Sequence, residues 1–312
     1  CHHVPLQMER KGTNIGRDLL LFWRYRILLK QHMPDIYLGF TAKPNIYGSL
    51  AAQSLGIPVI NNISGLGTVF GAMSTSLVGN LLSRLLRVLY WFALLRSDKI
   101  FFQNKDDRRE FIEQGVVKAH LTDLLPGSGV DLDRFAYTPI IATDCSSKIS
   151  NERKQARFLL IARMLWDKGV GEYVEAARQL RADTDNVLFH LLGFIDTRHP
   201  GGVTHDDIRS WERDGIIDYL GHSDDVRTHY AQANCVVLPS YYREGVPRTL
   251  LEAASMGLPV ITTDMAGCRD AVEDGVTGLL VRPRDVDDLV SKMREMVHMT
   301  DDARQRMGSQ GR

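Results

Sequence analysis

Tyr241-Tyr-Arg-Glu-Gly-Val-Pro-Arg-Thr-Leu-Leu-Glu-Ala-Ala-Ser-Met-Gly-Leu-Pro-Val260 is the stretch whose reading decides the fold. Just before it, Cys235-Val-Val-Leu-Pro239 is a short run of apolar residues, the pattern of a strand buried on both faces. A turn at Glu244-Gly245 leads to Pro247, whose locked φ suits the first position of a helix. That helix is predicted to reach Met256 and stop at Gly257, with Pro259 just beyond. The unit is therefore strand, glycine turn, helix, strand. In open parallel sheets ligands lie outside the carboxyl ends of the strands, where a helix N-terminus offers N–H groups to an anion.

Two carboxylates mark this unit, Glu244 before the helix and Glu252 within it. At about 1.5 Å per residue a fully helical path between them would cover roughly 12 Å, with part of the real path taken up by turn. The spacing suits a diphosphate on the helix N-terminus flanked by hydroxyl-bearing rings, because carboxylates accept well from sugar hydroxyls and repel phosphate. Either glutamate alone also reads as an ordinary solvated charge. The pair on one frame points to a ligand.

Working outward, residues 158–162 are a predicted strand, followed by Arg163-Met-Leu-Trp-Asp-Lys168-Gly169 and a helix from about 170 to 181. Arg163 at the strand end and Lys168 at the helix start would flank one anion pocket. Fixed cations there can stabilise the charge that builds on a leaving diphosphate. They also read as surface charges on a capping loop. Asp167 is expected to serve as a helix N-cap.

Glu244 through Glu252, followed by Ala253-Ala-Ser-Met-Gly-Leu-Pro-Val260, resembles the E-x7-E motif of retaining family 4 glycosyltransferases with the GT-B fold. The resemblance implies an α/β chain with two Rossmann-like doubly wound domains facing across a cleft. It implies that Glu244 holds the donor sugar and Glu252 the nucleotide ribose. Gly245, Val246, Pro247, Arg248 and Thr249 are carried into the donor site with them. Arg163 and Lys168 match the family's R-x4-K pair, and with Glu244 they form the catalytic set. The turn Gly221-His222-Ser223-Asp224 follows a predicted strand at 216–220. In relatives it lies near the nucleobase, so His222 and Ser223 become base contacts. No cofactor is expected, and no metal, since arginine and lysine handle the diphosphate in such enzymes. The acidic cluster His205-Asp-Asp reads as a solvated loop.

The apolar fraction is ordinary for a soluble globular protein. The 312 residues carry 38 basic and 38 acidic side chains, a balance that gives no pull toward nucleic acid. Cys1, Cys145, Cys235 and Cys268 form no C-x-x-C pair, which favours a reducing, cytoplasmic setting. No apolar run reaches the roughly 18 residues a span needs. No G-x-G-x-x-G follows a strand, which argues against a dinucleotide dehydrogenase.

The N-terminal part alternates strand and helix: a helix over 18–31, a strand over 36–40, a loop over 41–48, a helix over 49–55 and a strand over 59–63. The 41–48 loop and Gly65-Leu66-Gly67 resemble bacterial enzymes that extend sugars on undecaprenyl diphosphate, in particular α-1,3-N-acetylgalactosaminyltransferases. That likeness implies a UDP-sugar donor and a lipid-linked sugar acceptor. It puts Lys43, Gly65, Leu66 and Gly67 on the acceptor side, with Lys43 toward the carrier's diphosphate. Asn61, Asn62, Ile63 and Ser64 stand where many relatives carry a histidine, so no side-chain base is assigned. Residues 76–96 are long, apolar and basic, with Leu81, Leu82, Leu85, Leu89 and Phe92 beside Arg84, Arg87, Trp91 and Arg96. Such a helix lies on an anionic membrane surface or packs as a core element, and the sequence leaves both open.

Three segments are expected: residues 1–137 as the acceptor-side domain, 138–156 as a linker and 157–312 as the nucleotide-sugar domain. Both ends read as truncated, since the family's first strand would precede Cys1 and its crossing helix would follow Arg312. That shortness keeps a second reading open, a nucleotide-sugar-binding module without turnover. A nucleotide-sugar epimerase on the same fold is a third.

Overall fold

The computed structural model describes residues 3–8, 15–66, 77–138, 155–184 and 186–312. The chain divides into two compact units, Cys1–Gly127 with Arg243–Gly245, and Ser128–Tyr242 with Val246–Arg312. Most of the expected linker, residues 139–154, lies outside the described residues.

The first unit runs α1 (Ile15–His32), β1 (Tyr37–Phe40), α2 (Ser49–Gln53), β2 (Val59–Ile63), α3 (Leu77–Leu94), β3 (Lys99–Phe102), α4 (Lys105–Glu113) and β4 (Thr122–Leu124). Its sheet has the order β1-β2-β3-β4, with every pair parallel. Helices close the crossovers, as parallel strands require. Ile63, Ile100, Phe102, Tyr90, Leu94 and Phe111 form its main core. The Phe111 ring meets Phe102 and Tyr90 edge-on at 5.3 and 5.5 Å. Asn104 starts α4 by accepting a 2.7 Å bond from the Asp107 N–H.

The segment expected as a loop at 41–48 is helical instead. Pro44–Gly48 is a π-helical turn that continues into α2. Pro44 stands in the first turn, where its missing N–H costs nothing. Gly48 is required by packing, since a Cβ there would fall 1.8 Å from the Tyr37 hydroxyl. That hydroxyl donates to the Pro44 carbonyl at 3.0 Å. Proline and glycine, which signal a loop locally, here let a helix lie close against β1.

The second unit runs β5 (Ala156–Ile161), α5 (Val170–Asp183), β6 (Val187–Leu192), α6 (His205–Arg213), β7 (Asp218–Tyr219), α7 (Arg227–Gln232), β8 (Cys235–Leu238), α8 (Arg248–Ser255), β9 (Val260–Thr263), β10 (Gly278–Val281), α9 (Val286–His298) and α10 (Asp301–Gly311). The strand order is β10-β9-β8-β5-β6-β7, all parallel. The chain moves outward from β5 through β6 and β7, then returns to the other side of β5 at β8. This reversal is the topological switch point of a doubly wound sheet. β8 and β9 are buried throughout, as continuous apolar strands in a covered parallel sheet should be. Tyr173 is fully buried on α5, and its hydroxyl donates to the Phe158 carbonyl at 3.0 Å.

The sequence pattern predicts a last helix over 285–299, and the structure adds a further one, α10. Thr300 starts it, accepting from the Ala303 N–H at 3.2 Å. Buried Arg304 returns to α9, donating to the Met296 and Met299 carbonyls at 2.9 and 2.8 Å. Gly308 and Gly311 disguise the helix, yet Gly308 has a packing reason: a Cβ there would lie 1.9 Å from the Gly257 carbonyl oxygen.

Gly308→Ala is therefore expected to destabilise the protein by about 1–3 kcal/mol through overpacking, although alanine is the better helix former. Urea unfolding checks this, and unchanged or increased stability would show that α10 can retreat freely.

Candidate functional site

At the switch point of the second unit, β5 and β8 lie side by side, with Phe158 opposite Cys235 and Leu159 opposite Val236. The loops leaving their carboxyl ends touch backbone to backbone. Gly169 has φ 77°, and a Cβ there would fall 2.1 Å from the Pro239 carbonyl oxygen. The Asp167 carbonyl accepts from the Tyr241 and Tyr242 N–H groups, both at 3.0 Å. Asp167 is thus not the N-cap of α5. Gly169 takes that position without a side-chain cap, because only a left-handed residue turns the chain into α5 while passing Pro239 so closely.

Lys168 is only 9% exposed, and its Nζ lies 4.9 Å from the centre of the Tyr242 ring. A cation over an aromatic face is stabilised as water is removed. Arg163 is exposed at the carboxyl end of β5. The Gly193 backbone packs tightly beside this loop, where a Cβ would meet the Ala162 carbonyl oxygen at 1.7 Å.

On the neighbouring loop, Val246 and Pro247 lead into α8, with Pro247 at its N-cap and no side chain closing that end. The structure thus moves Pro247 back from the expected first helical position, and Arg248 and Thr249 open the first turn. Glu252 faces inward at 8% exposure. Tyr230 Oη lies 3.0 Å from the Thr249 carbonyl and 3.2 Å from Glu252 Oε2, and Arg248 Nη2 reaches Glu252 Oε1 at 3.2 Å. Burial pushes the Glu252 carboxyl above its ordinary range, while Arg248 and Tyr230 hold back part of the rise.

His222 is exposed, with its ring edge-on to Phe194 at 6.5 Å. The Ser223 hydroxyl is used in its own turn, donating to the Asp225 carbonyl at 2.8 Å and accepting from its N–H at 3.2 Å. The residues after His205, expected as a solvated loop, open a helix, and their carboxylates serve it. Asp207 completes a capping box with Thr204, and Asp206 pairs with Arg209 at 2.7 Å.

In the first unit, Lys43 Nζ is bound to Asp18 Oδ1 at 2.7 Å, and the Tyr47 hydroxyl donates to the other Asp18 oxygen at 3.1 Å. Gly65 has φ 118° and Leu66 is buried, whereas Gly67 lies outside the described residues. Asn61 is buried and structural: its amide donates to Asn45 Oδ1 and Ser49 Oγ at 2.9 and 2.7 Å. Glu244 also groups with this unit, between Arg243 and Gly245. Arg243 forms ion pairs with Asp107 and Glu110, and Asn104 donates to the Glu244 carbonyl at 3.2 Å. Sequence reading passed over these four residues because the partners are far apart in the chain. The only local signal was an arginine beside the first glutamate of the motif.

On α3, Leu85, Val88, Trp91 and Phe92 are exposed and Leu95 continues the stripe, with exposed Arg84 and Arg96 at its ends. Leu89 is half-buried, so the outward face is turned slightly from the expected one. No described helix is long and apolar enough to cross a membrane.

Comparison with known proteins adds a family match, two relatives and two solved structures. Residues 143–312 match the family model described as glycosyl transferases group 1. The N,N'-diacetylbacillosaminyl-diphospho-undecaprenol alpha-1,3-N-acetylgalactosaminyltransferase of Campylobacter jejuni is 28% identical over 93% of this chain and 75% of its own length. The UDP-Gal:alpha-D-GlcNAc-diphosphoundecaprenol alpha-1,3-galactosyltransferase of Escherichia coli is 26% identical over 88% of this chain and 68% of its own. Among solved structures, Anabaena HepE with UDP-glucose superposes with a TM-score of 0.75 at 19% identity, covering 96% of this chain and 78% of its own. The sucrose-phosphate synthase of Thermosynechococcus elongatus gives 0.77 at 19% identity, covering 96% and 74%. These likenesses bear out the doubly wound GT-B fold.

Glu252 also makes stability depend on pH. Its folded-state pKa lies above the unfolded value, so its contribution is complete below the unfolded pKa and is lost as pH rises through the folded one. Arg248→Met removes the pairing that holds this pKa down, so the loss between acid and neutral pH should grow. Urea unfolding across that range measures it. A destabilisation equal at every pH would overturn the assignment.

Proposed function

Because the chain belongs to the glycosyl transferases group 1 family, we propose that it is a retaining enzyme that moves a hexose or N-acetylhexosamine from a UDP-sugar to a hydroxyl of a lipid-diphosphate-linked sugar, in bacterial cell-surface polysaccharide or glycan assembly. The observation that carries this reading is the pair of buried charges at the switch point, Lys168 over Tyr242 and Glu252 held by Tyr230 and Arg248. Burying either charge is costly, and the cost is understandable where a charged, hydroxyl-rich ligand binds. The relatives named above transfer sugars onto diphospho-undecaprenol substrates, which supports the acceptor class. HepE was solved with UDP-glucose, which supports the donor class.

Each residue then has a task. Glu252 accepts from the ribose hydroxyls, and Glu244 from the donor sugar. Gly245, Val246 and Pro247 let the diphosphate approach the N-terminus of α8, with Arg248 and Thr249 in its first turn. His222 and Ser223 border the base. Arg163 and Lys168 stabilise the negative charge on the departing UDP as the glycosidic bond breaks. The β-phosphate oxygen of that leaving group takes the acceptor's proton on the same face, so no side-chain base is needed and the anomeric configuration is kept. With two cations on the diphosphate, the reaction proceeds without a metal. Gly65, Leu66, Gly67 and Lys43 are assigned to the acceptor; Lys43 must exchange Asp18 for phosphate to contact it. The exposed stripe of α3, apolar with arginines at both ends, rests on the anionic membrane surface from which a lipid-linked acceptor is drawn.

UDP release from a panel of UDP-sugars, with and without a lipid-diphosphate sugar, tests the reaction. Acceptor-dependent release that survives EDTA is expected, and its absence with retained UDP binding would favour a module without turnover. Arg163→Ala should lower kcat by about 10²–10³ with little change in donor KM. A raised KM with unchanged kcat would remove Arg163 from the chemistry. For the membrane contact, Phe92→Asp should reduce co-sedimentation with phosphatidylglycerol vesicles without changing turnover of a short-chain soluble acceptor. Equal sedimentation of both forms would exclude α3 as the contact.

A further inference from the structure

Arg243 stands immediately before Glu244, and its charge is fully engaged within the first unit. Its Nη2 lies 2.6 Å from Asp107 Oδ1 and its Nη1 2.5 Å from Glu110 Oε2. The Asp107 side chain is 0% exposed, that of Arg243 15% and that of Glu110 23%. Asp107 is held from its other side as well, since Asn104 Nδ2 donates to Oδ2 at 2.9 Å. The same amide reaches the Glu244 carbonyl at 3.2 Å, and Asn104 Oδ1 accepts from the Asp107 N–H at 2.7 Å. One asparagine therefore caps α4, orients the buried carboxylate and fixes the Glu244 backbone.

The backbone is confined as tightly as the side chains. A Cβ on Gly65 would lie 2.5 Å from the Gly245 nitrogen and 2.8 Å from the Glu244 carbonyl carbon. A Cβ on Gly245 would fall 2.0 Å from Gln103 Oε1 and 2.6 Å from the Ser64 carbonyl oxygen. Residues 243–245 thus sit in a slot walled by the ends of β2 and β3 and by the first turn of α4.

Stability does not account for this cluster. Taking a carboxylate and a guanidinium out of water costs several kcal/mol per ion, and the attraction regained seldom exceeds that cost. What such a network supplies is a defined geometry. We infer that Asp107, Glu110 and Asn104 are positioning residues that act through Arg243 and the Glu244 carbonyl, holding the Glu244 carboxylate where it accepts from the donor sugar. This rests on the transferase reading. Its consequence is a division of labour: the cluster governs recognition of the sugar, whereas affinity for the UDP moiety is left to the switch-point residues of the second unit.

The test compares wild type with Arg243→Met, Arg243→Lys and Asp107→Asn in the full chain, measuring affinity for UDP, affinity for UDP-glucose and UDP-N-acetylglucosamine, turnover and melting temperature. A displacement near 1 Å at a reacting group costs about 100-fold, so Arg243→Met should lose about that factor in turnover while UDP affinity stays within about twofold. Asp107→Asn should act in the same direction, and the double variant should fall no further than Arg243→Met, because both break one network. Arg243→Lys, which keeps charge without the fork, should recover only part of the loss. Turnover unchanged in Arg243→Met and Asp107→Asn would overturn the inference. So would UDP affinity, turnover and melting temperature all falling together, the signature of a merely structural role. If wild type transfers nothing from any donor, the transferase reading fails separately. The cluster is then judged by binding alone: wild type should prefer one UDP-sugar over the other, and Arg243→Met should erase that preference. Wild type lacking it, or a variant retaining it, would overturn the inference.

Discussion

The parallel pairing of β5 with β8 is the contact on which the site depends. The two strands are remote in sequence, and their pairing creates the reversal in strand order that leaves a crevice at the carboxyl edge. It also brings two loops so close that residue 169 must be glycine and the Asp167 carbonyl must accept from two successive N–H groups of the facing loop. Lys168 is carried by this contact rather than placed by its own helix. Its stem is buried by the loop, and its ammonium is left over the Tyr242 ring. A cation prepared in that way needs little reorganisation to meet an anion.

Buried charge alone does not identify function in this protein. Arg304 is as buried as Lys168, yet its guanidinium closes the carbonyl end of α9 and locks α10 in place. Asp107 is more buried than Glu252, but it engages Arg243 and Asn104 and presents nothing to a ligand. Lys168 and Glu252 differ in position: both lie at the carboxyl edge of the sheet, beside the switch point. Glu252 keeps its carboxylate there against a desolvation cost that Tyr230 and Arg248 only partly offset. Incomplete compensation does not set them apart, since burial pushes the Asp107 carboxyl up as well; position in the fold does.

Much of the architecture was legible locally. The strand expected at 59–63 is found at the same residues, and the helix after Pro247 differs from its expected span by one residue at each end. Continuous apolar runs and glycine or proline stops carry that information without help from distant residues. The misreadings came where a residue with a strong local preference was used for a distant contact. Pro44 and Gly48 suggested a loop but allow a helix to approach Tyr37. Gly308 hid a helix because its missing side chain makes room for the Gly257 carbonyl. Asp167 looked like a cap, and the capping position went to a glycine for the sake of the facing loop.

By itself the sequence determined the class of fold, most of the order of its elements and the presence of a paired-glutamate motif, since periodicity and motif spacing are properties of neighbouring residues. Only the tertiary structure decided which charges are held and by what. Asp18 claims Lys43, Tyr242 lies under Lys168, Tyr230 reaches Glu252, and Asp107 and Glu110 take Arg243. None of these pairings follows from spacing along the chain. Desolvation and hydrogen-bond partners belong to the packed environment, which exists only once separated segments have met.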